Sequence, residues 1–254
     1  MSLLAAFGSE AATGVGVSEL GRRAGLSKST AFRVLAMLER NGFVERAGTD
    51  YRLGTRLHDL GRSMQAPGQD RLRDLLIPFV TDLFTATGET VHLAVLQGTD
   101  VVYLAKLYGH RHFPSPSRIG GRMPAHCTAV GKALLAYDPE HAQRVLDGPM
   151  DRPTERTIHD PAALTAELAL VRRQGIAVEI NESRPGLTCV AAPILVAGGR
   201  PVAALSVAGQ AGRLDVDRHA AVLRRVANAA ARTVSIHASL KSPDPRMSRQ
   251  GVSA

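Results

Sequence analysis

The chain has 254 residues, of which 44% are hydrophobic and 21% are charged. This length and composition suit one large or two modest globular domains. No apolar run approaches the roughly 20 residues that a membrane-spanning helix needs, and the first residues lack the basic and apolar segments of a signal peptide. We therefore expect a cytoplasmic protein with no membrane segment, in which Cys127 and Cys189 stay reduced. The formal net charge of +8 is compatible with a polyanionic partner but does not identify one.

Two polar stretches that contain Pro and Gly interrupt the pattern of the chain, one around residues 65–69 and one after residue 240. Proline and glycine interrupt helices and mark boundaries, and the last stretch has too little apolar surface to order itself. We predict one domain over 1–55, a linker helix and hinge over 56–69, a second domain over 70–240 and a disordered tail over 241–254.

The first domain is predicted to be mostly helical and to end in a hairpin. Apolar residues at spacings of three and four indicate helices at Val17–Ala24 and at Lys28–Arg40, and Ser27 is suited to cap the second one. Alternating residues predict strands over 43–46 and 51–53, and a further helix is expected over 55–64. Helix, turn, helix and hairpin in this order is the winged helix-turn-helix arrangement, whose second helix enters the major groove of DNA.

Small polar and cationic residues occupy the positions of this motif that would face DNA. Hydroxyls and N–H groups at a helix start favour phosphate oxygens, and an arginine one turn later can reach a base or a phosphate. The residues predicted to contact DNA are Ser27, Lys28, Ser29, Thr30 and Arg33 on the helix, with Arg46 and Arg52 on the hairpin. The alternative is a plain helical hairpin with a solvated charged face.

The second domain is predicted to alternate helices with hairpins. Helices are expected over 71–87, 129–137, 140–146, 161–174 and 216–240. One hairpin is expected from strands over 92–96 and 101–107, and another from strands over 190–196 and 201–207. The fold class is therefore α+β with a mainly antiparallel sheet.

Five segments of the chain resemble the isocitrate lyase regulator (IclR) family of bacterial transcription factors, over about residues 3–238. In chain order they are VSELGRRAGLSKSTAFRVLAMLERNGFVERAGTDYRLGTRLHDLG, HLAVLQGTDVVYLAKL, RIGGRMPAHCTAVGKALLA, QGIAVEINESRPGLTCVAAPI and VAALSVAG. The resemblance implies a GAF-like domain that binds a small effector and a linker helix that joins this domain to the DNA reader.

The resemblance also implies where the effector lies. A Gly-rich loop over 118–128 leads into the helix near Ala129, whose first N–H groups would suit a carboxylate. The residues implied to contact the effector are Thr128, Ala129, Val130, Glu179, Cys189 and Ser206. Ala208 stands where some relatives have a second hydroxyl, so we expect a less polar ligand than theirs.

Other interpretations of these residues remain open. His126 beside Cys127, or Cys189, would suggest a thiol enzyme, although neighbours on an extended segment point to opposite faces. Cys189 would otherwise be a small buried apolar residue, and Glu179 a surface charge at a strand end. An architectural DNA binder without a ligand is disfavoured by the size of the second domain. The histidines His110, His112 and His126 match no firm metal pattern, and we expect no metal, cofactor or catalytic residue.

The sequence thus suggests a regulator that responds to a ligand and binds a palindromic DNA operator. Its expected partners are double-stranded operator DNA and a small carboxylate or aromatic acid. Because one small reader domain gives few base contacts, we expect a homodimer or homotetramer.

Overall fold

The computed structural model describes residues 2–11, 13–57, 60, 68–111 and 115–239. The chain divides into two compact units, Met1–Pro67 and Gly68–Ala254. The predicted tail over 241–254 and most of the predicted linker over 56–69 lie outside the described residues. In the described part of the chain, no helix is both long enough and apolar enough to cross a membrane.

The described residues of the first unit form helices and a small antiparallel sheet. Its elements are α1 (Ser2–Ala5), β1 (Val15–Gly16), α2 (Val17–Ala24), α3 (Lys28–Arg40), β2 (Val44–Ala47) and β3 (Asp50–Leu53). The strand order in the sheet is β1-β3-β2. One side chain from nearly every element meets in the core, which contains Leu3, Phe7, Val15, Leu20, Ala31, Leu35, Val44 and Tyr51.

Three residues shape the turn between α2 and α3, of which Ser27 was predicted as the cap. Gly25 ends α2 with a positive φ of 67°, a conformation that costs glycine little. Ser27 caps α3, because its side chain accepts a hydrogen bond from the N–H of Thr30. A Cβ on Gly21 would lie 3.1 Å from the carbonyl oxygen of Leu26, so this glycine lets the turn pack closely on α2. Both helices have the predicted bounds.

The hairpin has a shorter loop than predicted, because its first strand ends one residue later and its second strand begins one residue earlier. The strands are Val44–Ala47 and Asp50–Leu53, because the bend falls at Gly48, which has a φ of 64°. The short strand β1 was not predicted, since two residues carry no periodic signal. Residues 55–57 are helical, and the rest of the helix predicted over 55–64 lies largely outside the described residues.

The second unit is a six-stranded antiparallel sheet with helices on both faces, which confirms the α+β prediction. Its helices are α4 (Gln69–Thr87), α5 (Ala129–Leu135), α6 (Pro139–Asp147), α7 (Pro161–Gln174) and α8 (Val216–Ser239). Its strands are β4 (Thr90–Gln97), β5 (Asp100–Leu107), β6 (Arg122–Pro124), β7 (Ala177–Ile180), β8 (Leu187–Val196) and β9 (Arg200–Gln210). The strand order is β6-β5-β4-β9-β8-β7.

The two faces of this sheet carry residues of different size. One face packs large residues such as Leu93, Leu205 and Val207 against α4 and α8. The other face presents small residues, including Ala204 and Ala208, to α5, α6 and α7. Because successive side chains of a strand point to opposite faces of the sheet, each strand contributes residues to both surfaces. Small side chains allow the helices on the second face to approach closely.

The predicted elements of the second unit are present, with shifted ends. The sequence analysis predicted the second hairpin over 190–196 and 201–207, whereas β8 and β9 extend further, over Leu187–Val196 and Arg200–Gln210. The helix predicted over 129–137 ends earlier, at Leu135. Strand β6 was missed, since it is three residues long and is defined by its pairing with β5.

Helix α5 is buried along its whole length, from Ala129 to Leu135. A Cβ placed on Gly131 would lie 2.1 Å from the carbonyl oxygen of Ala125. The backbone just before the helix therefore occupies the space that any other side chain would need. The N–H of Gly131 also donates to the Thr128 hydroxyl, at 3.1 Å.

We predict that Gly131→Ala destabilises the protein, although alanine is the better helix former by about 1 kcal/mol. The new methyl group would overlap backbone atoms, and overpacking of a core costs about 1 to 3 kcal/mol, occasionally more. Urea unfolding of the two proteins measures the difference. Ala166→Gly, at an exposed position of α7, is the control for helix propensity alone. A variant as stable as the wild type would show that α5 can move away from Ala125.

Candidate functional site

Helix α3 presents a cationic face to solvent. Ala31 and Leu35 point into the core, whereas Lys28, Ser29 and Arg33 are exposed. Among the described residues, neither Lys28 nor Arg33 forms an ion pair. Both cations are therefore available to a polyanion, as the sequence analysis expected.

The hydroxyls at the start of α3 bind one another. The Ser27 hydroxyl lies 3.0 Å from that of Ser29 and 2.9 Å from that of Thr30, and it also accepts the N–H of Thr30 at 3.2 Å. Ser27 is thus already used as a helix cap. A phosphate at this end of α3 would therefore bind a Ser27 hydroxyl that already forms hydrogen bonds within the helix.

The arginines of the hairpin have protein partners. Arg46 donates to the phenol oxygen of Tyr51 at 3.0 Å and lies over its ring. Arg52 forms an ion pair with Glu45 across the hairpin, at 2.9 Å. Both arginines remain exposed. The charge of Arg52 is largely balanced within the hairpin, which the sequence analysis did not foresee.

In the second unit, the residues predicted to contact an effector surround one cavity. It lies on the small-residue face of the sheet, beside the start of α5. The lining includes every predicted residue: Thr128, Ala129, Val130, Glu179, Cys189 and Ser206. It also includes residues that the sequence analysis did not single out: His92, Tyr103, Ser115, Pro116, Met123, Ser183 and Leu187.

The cavity is narrow. About 260 Å³ lies between its atoms, but the centre of a water molecule can occupy only about 10 Å³ of it. That is roughly the space that one water molecule needs. A ligand with a ring must therefore push the walls apart.

A hydrogen-bonded chain of neutral side chains forms one wall of the cavity. His92 Nδ1 lies 3.1 Å from the Ser206 hydroxyl, and His92 Nε2 lies 2.8 Å from the Ser117 hydroxyl. Burial, with the nearby charge of Lys106, lowers the pKa of His92 to about 3. The imidazole is therefore uncharged at neutral pH, and one of its nitrogens donates while the other accepts.

The opposite wall holds a buried carboxyl group, which corrects the alternative that Glu179 is a surface charge. Glu179 is 1% exposed, and it accepts hydrogen bonds from the N–H of Ser183 at 2.8 Å and from the Ser183 hydroxyl. Burial raises the pKa of Glu179 to about 7, against the effect of these hydrogen bonds. Near neutral pH the group can thus be either an acceptor or, when protonated, a donor.

Tyr103 offers a donor that the protein uses poorly. Its hydroxyl donates to the sulfur of Met123 at 3.6 Å, and a thioether is a weak acceptor. Its ring lies 5.3 Å from that of His92. Four of the missed lining residues, His92, Tyr103, Met123 and Leu187, lie on paired strands, as His92 does opposite Ser206, whereas Ser115, Pro116 and Ser183 lie in loops. Such pairing leaves no local signal in the sequence.

The cysteines have the properties of buried thiols rather than nucleophiles. Residues Ala125–Cys127 form a 3-10 helix, so the extended segment expected at His126 and Cys127 is wrong. His126 bonds the carbonyl of Asp151 at 2.8 Å, while the Cys127 thiol donates to that of Pro124 at 3.6 Å. Burial raises the pKa of Cys127 to about 12 and that of Cys189 well above its ordinary value. The thiolate that nucleophilic chemistry needs is therefore disfavoured.

A buried ion pair joins the two sides of the cavity. Lys132 on α5 lies 2.7 Å from Glu182, just after β7, and 3.0 Å from Glu167 on α7. Lys132 is 1% exposed. The pair connects the helix that begins at Ala129 to the turn that carries Ser183, two segments that both line the cavity.

The described residues contain no group of three or more His, Cys, Asp or Glu side chains arranged to hold a metal ion. His112, one of the histidines considered in the sequence analysis, lies outside them.

We predict that the free energy of unfolding of the wild type falls relative to that of Glu179→Gln as the pH rises from about 5 to 8. The buried neutral His92 contributes a rise with pH over part of this range, but it is common to both proteins and cancels in the difference. In the folded state the carboxyl titrates near pH 7, whereas in the unfolded state it titrates near its ordinary value. The folded state thus holds the proton longer, and ionisation at higher pH costs stability. The difference in free energy of unfolding between Glu179→Gln and wild type should change by about 2 to 3 kcal/mol between these two pH values. Urea unfolding at both pH values measures it, with the exposed Glu155→Gln as control. Parallel curves for Glu179→Gln and wild type would refute the prediction.

Comparison with known families gives two matches that together span most of the chain. Residues 1–48 match the model described as the IclR helix-turn-helix domain. Residues 65–236 match the model described as bacterial transcriptional regulator IclR C-terminal.

Similar proteins have regulatory names. The regulator XynR of Escherichia coli is 34% identical over 210 residues, which cover 81% of this chain and 82% of that protein. The regulator KdgR of the same organism is 35% identical over 226 residues, 85% of each chain. The relatives are named as regulators, so the protein is a regulator and the enzyme alternative at Cys127 or Cys189 is wrong.

Solved structures agree with this assignment. The Thermotoga maritima IclR structure has a TM-score of 0.74 at 31% identity and covers 87% of this chain and 92% of that one. An IclR homologue from Microbacterium hydrocarbonoxydans, solved in complex with 4-hydroxybenzoate, has a TM-score of 0.73 at 31% identity and covers 92% and 96%. The chain therefore belongs to the IclR family of bacterial transcriptional regulators.

Proposed function

We propose that this regulator binds a palindromic operator through α3 and the hairpin, and that a small carboxylate or aromatic acid in the cavity changes its operator affinity. One observation carries the effector half of the proposal. All the residues implied by the family resemblance line the same enclosed cavity, although they come from four separate stretches of the chain. The proposed site of action is the cytoplasm.

For the operator, the proposed contacts are the residues predicted from the sequence. On α3 and before it they are Ser27, Lys28, Ser29, Thr30 and Arg33, and on the hairpin they are Arg46 and Arg52. Lys28 and Arg33, which form no ion pair with any described residue, support the major groove as the site of α3, since phosphates and guanine edges accept hydrogen bonds from such groups. We propose a homodimer or homotetramer, because two-fold symmetry doubles the contacts and matches a palindrome.

For the effector, the chemistry of the lining favours a small acid. Ala129 and Val130 open α5, so their N–H groups have no acceptor inside the helix, and the hydroxyls of Tyr103 and Ser206 are nearby. A protonated Glu179 could donate as well. The Microbacterium hydrocarbonoxydans relative was solved with 4-hydroxybenzoate, which is an aromatic acid of this kind. The apolar Ala208, beside the lining, limits the polarity of the site.

The narrowness of the cavity suggests how binding would be sensed. Because a ring-sized ligand does not fit between the present walls, its binding must favour a wider arrangement of α5 and the strands. A ligand shifts an equilibrium only by its different affinity for the two states.

We also propose the division predicted from the sequence, with a reader over 1–55, a linker over 56–69, an effector domain over 70–240 and a tail over 241–254.

We predict that Arg33→Ala weakens operator binding by about 1 to 3 kcal/mol without loss of fold. Arg33 is exposed and has no ion pair among the described residues, so its removal leaves the core intact. An operator selected from random DNA duplexes, followed by affinity measurement at fixed salt and circular dichroism, tests this. Arg218→Ala removes an exposed arginine from α8 and serves as the control for net charge. Equal losses from both variants would contradict groove binding by α3.

We predict that Ser206→Ala lowers effector affinity by about 1 to 3 kcal/mol, because a polar group of the ligand is left buried and unpaired. Operator affinity without ligand should hardly change. The effector is first sought by a thermal-shift screen of carboxylic acids that includes 4-hydroxybenzoate, since a ligand of the folded state raises its stability. Calorimetry with the best ligand then compares the variants.

Ser117→Ala is the matched control for this experiment. Ser117 bonds the other nitrogen of His92, at 2.8 Å, but it does not line the cavity. If Ser206 contacts the ligand, only Ser206→Ala lowers affinity. Equal losses from both would assign the effect to a loosened His92, and no loss from either would place the effector elsewhere.

A further inference from the structure

The recognition helix carries an aromatic side chain that the protein leaves in solvent. Phe32 is 49% exposed, whereas its neighbours Ala31 and Leu35 are fully buried in the core of the first unit. A polar residue at this position would serve the helix equally well, since phenylalanine has only a middling helix propensity. The fold of the first unit therefore gives no reason for an aromatic ring here.

Phe32 lies among the polar residues that face outward from the first half of α3. Residues three and four apart on a helix are neighbours on its surface, which places Phe32 beside Lys28 and Ser29. Arg33 follows it and is also exposed. Within two turns α3 thus presents a cation, a hydroxyl, an aromatic ring and a guanidinium group on its solvent side.

The major groove offers a partner for each of these side chains, but only one of the features it displays is apolar. Guanine and adenine edges and phosphates accept hydrogen bonds, and cytosine and adenine donate them. The C5 methyl group of thymine is the apolar feature that the groove displays, and phenylalanine is among the residues that contact it. A ring that entered the groove elsewhere would lose its hydration against polar edges without gaining an apolar contact.

We propose that Phe32 is a specificity-determining residue, which packs on the C5 methyl group of a thymine in each half of the operator. The inference rests on the proposed entry of α3 into the major groove and adds a base preference to it. It differs from the role of Arg33, which contacts acceptors. It also differs from phosphate binding, which is insensitive to the base.

Uracil substitution tests the contact directly, because deoxyuridine differs from thymidine by this methyl group alone. The operator is selected by the full-length protein from random duplexes, and each thymidine is then replaced in turn by deoxyuridine. Wild-type affinity should fall about fourfold for each contacted methyl, the factor that one buried methyl group is worth. Phe32→Ala should bind more weakly and should lose the discrimination at that position while keeping it elsewhere.

Met37→Ala is the matched control. Met37 is also 49% exposed on α3, but it lies in the second half of the helix. It should leave discrimination at the Phe32 position unchanged. Circular dichroism of both variants checks the fold, and sedimentation checks the oligomeric state.

Several results would overturn the inference. The first is a wild-type affinity that uracil leaves unchanged at every position, and the second is discrimination that survives Phe32→Ala. The third is an oligomer that dissociates in Phe32→Ala, which would assign the ring to contacts between copies of the chain. A functional operator that depends on Arg33 but has no methyl-sensitive position refutes this inference alone. A protein that selects no DNA sequence refutes the proposed operator binding and this inference with it.

Discussion

The close approach of α5 to the sheet is the constraint on which the effector unit depends. The strands that face this helix carry alanines such as Ala204 and Ala208, and the helix itself begins with the small residues Ala129 and Gly131. Gly131 also lets the 3-10 helix before α5 pack against it, since a Cβ would lie 2.1 Å from the Ala125 carbonyl oxygen. Small residues on both sides bring backbone near backbone. The first N–H groups of α5 therefore lie at the cavity wall, and the cavity is too narrow for more than about one water molecule.

Such a narrow cavity makes its polar groups unusually dependent on one another. His92 is kept neutral and is bonded on both sides by serine hydroxyls, and Glu179 accepts hydrogen bonds from the N–H and the hydroxyl of Ser183. Water cannot replace a lost partner where there is no room for it, so each bond carries more weight than it would at the surface. The ion pair of Lys132 with Glu182 ties the start of α5 to the turn that carries Ser183, the partner of Glu179.

The sequence allowed good prediction where the signal is local. The bounds of α2 and α3 were correct because a glycine with positive φ and a capping serine mark them. The effector residues came from the family resemblance, and the structure brings them to one cavity. What the sequence could not supply is strand register, which places His92 beside Ser206 across 114 residues of chain. The same applies to Ser183, whose role depends on the burial of Glu179, and to the 3-10 helix at Cys127.

The ion pair of Glu45 with Arg52 has a consequence for how the protein would search DNA. Non-specific attraction to DNA grows with the number of phosphates that a protein neutralises, and it weakens with salt in the same proportion. An arginine that is already paired with a carboxylate of the same hairpin, as Arg52 is with Glu45, adds little to the number of phosphates neutralised. Among the described residues, Arg46 is then the hairpin cation without a carboxylate partner, since Tyr51 is neutral. Together with Lys28 and Arg33 of α3 it would supply the non-specific attraction, and Arg52 would add contact without adding to it.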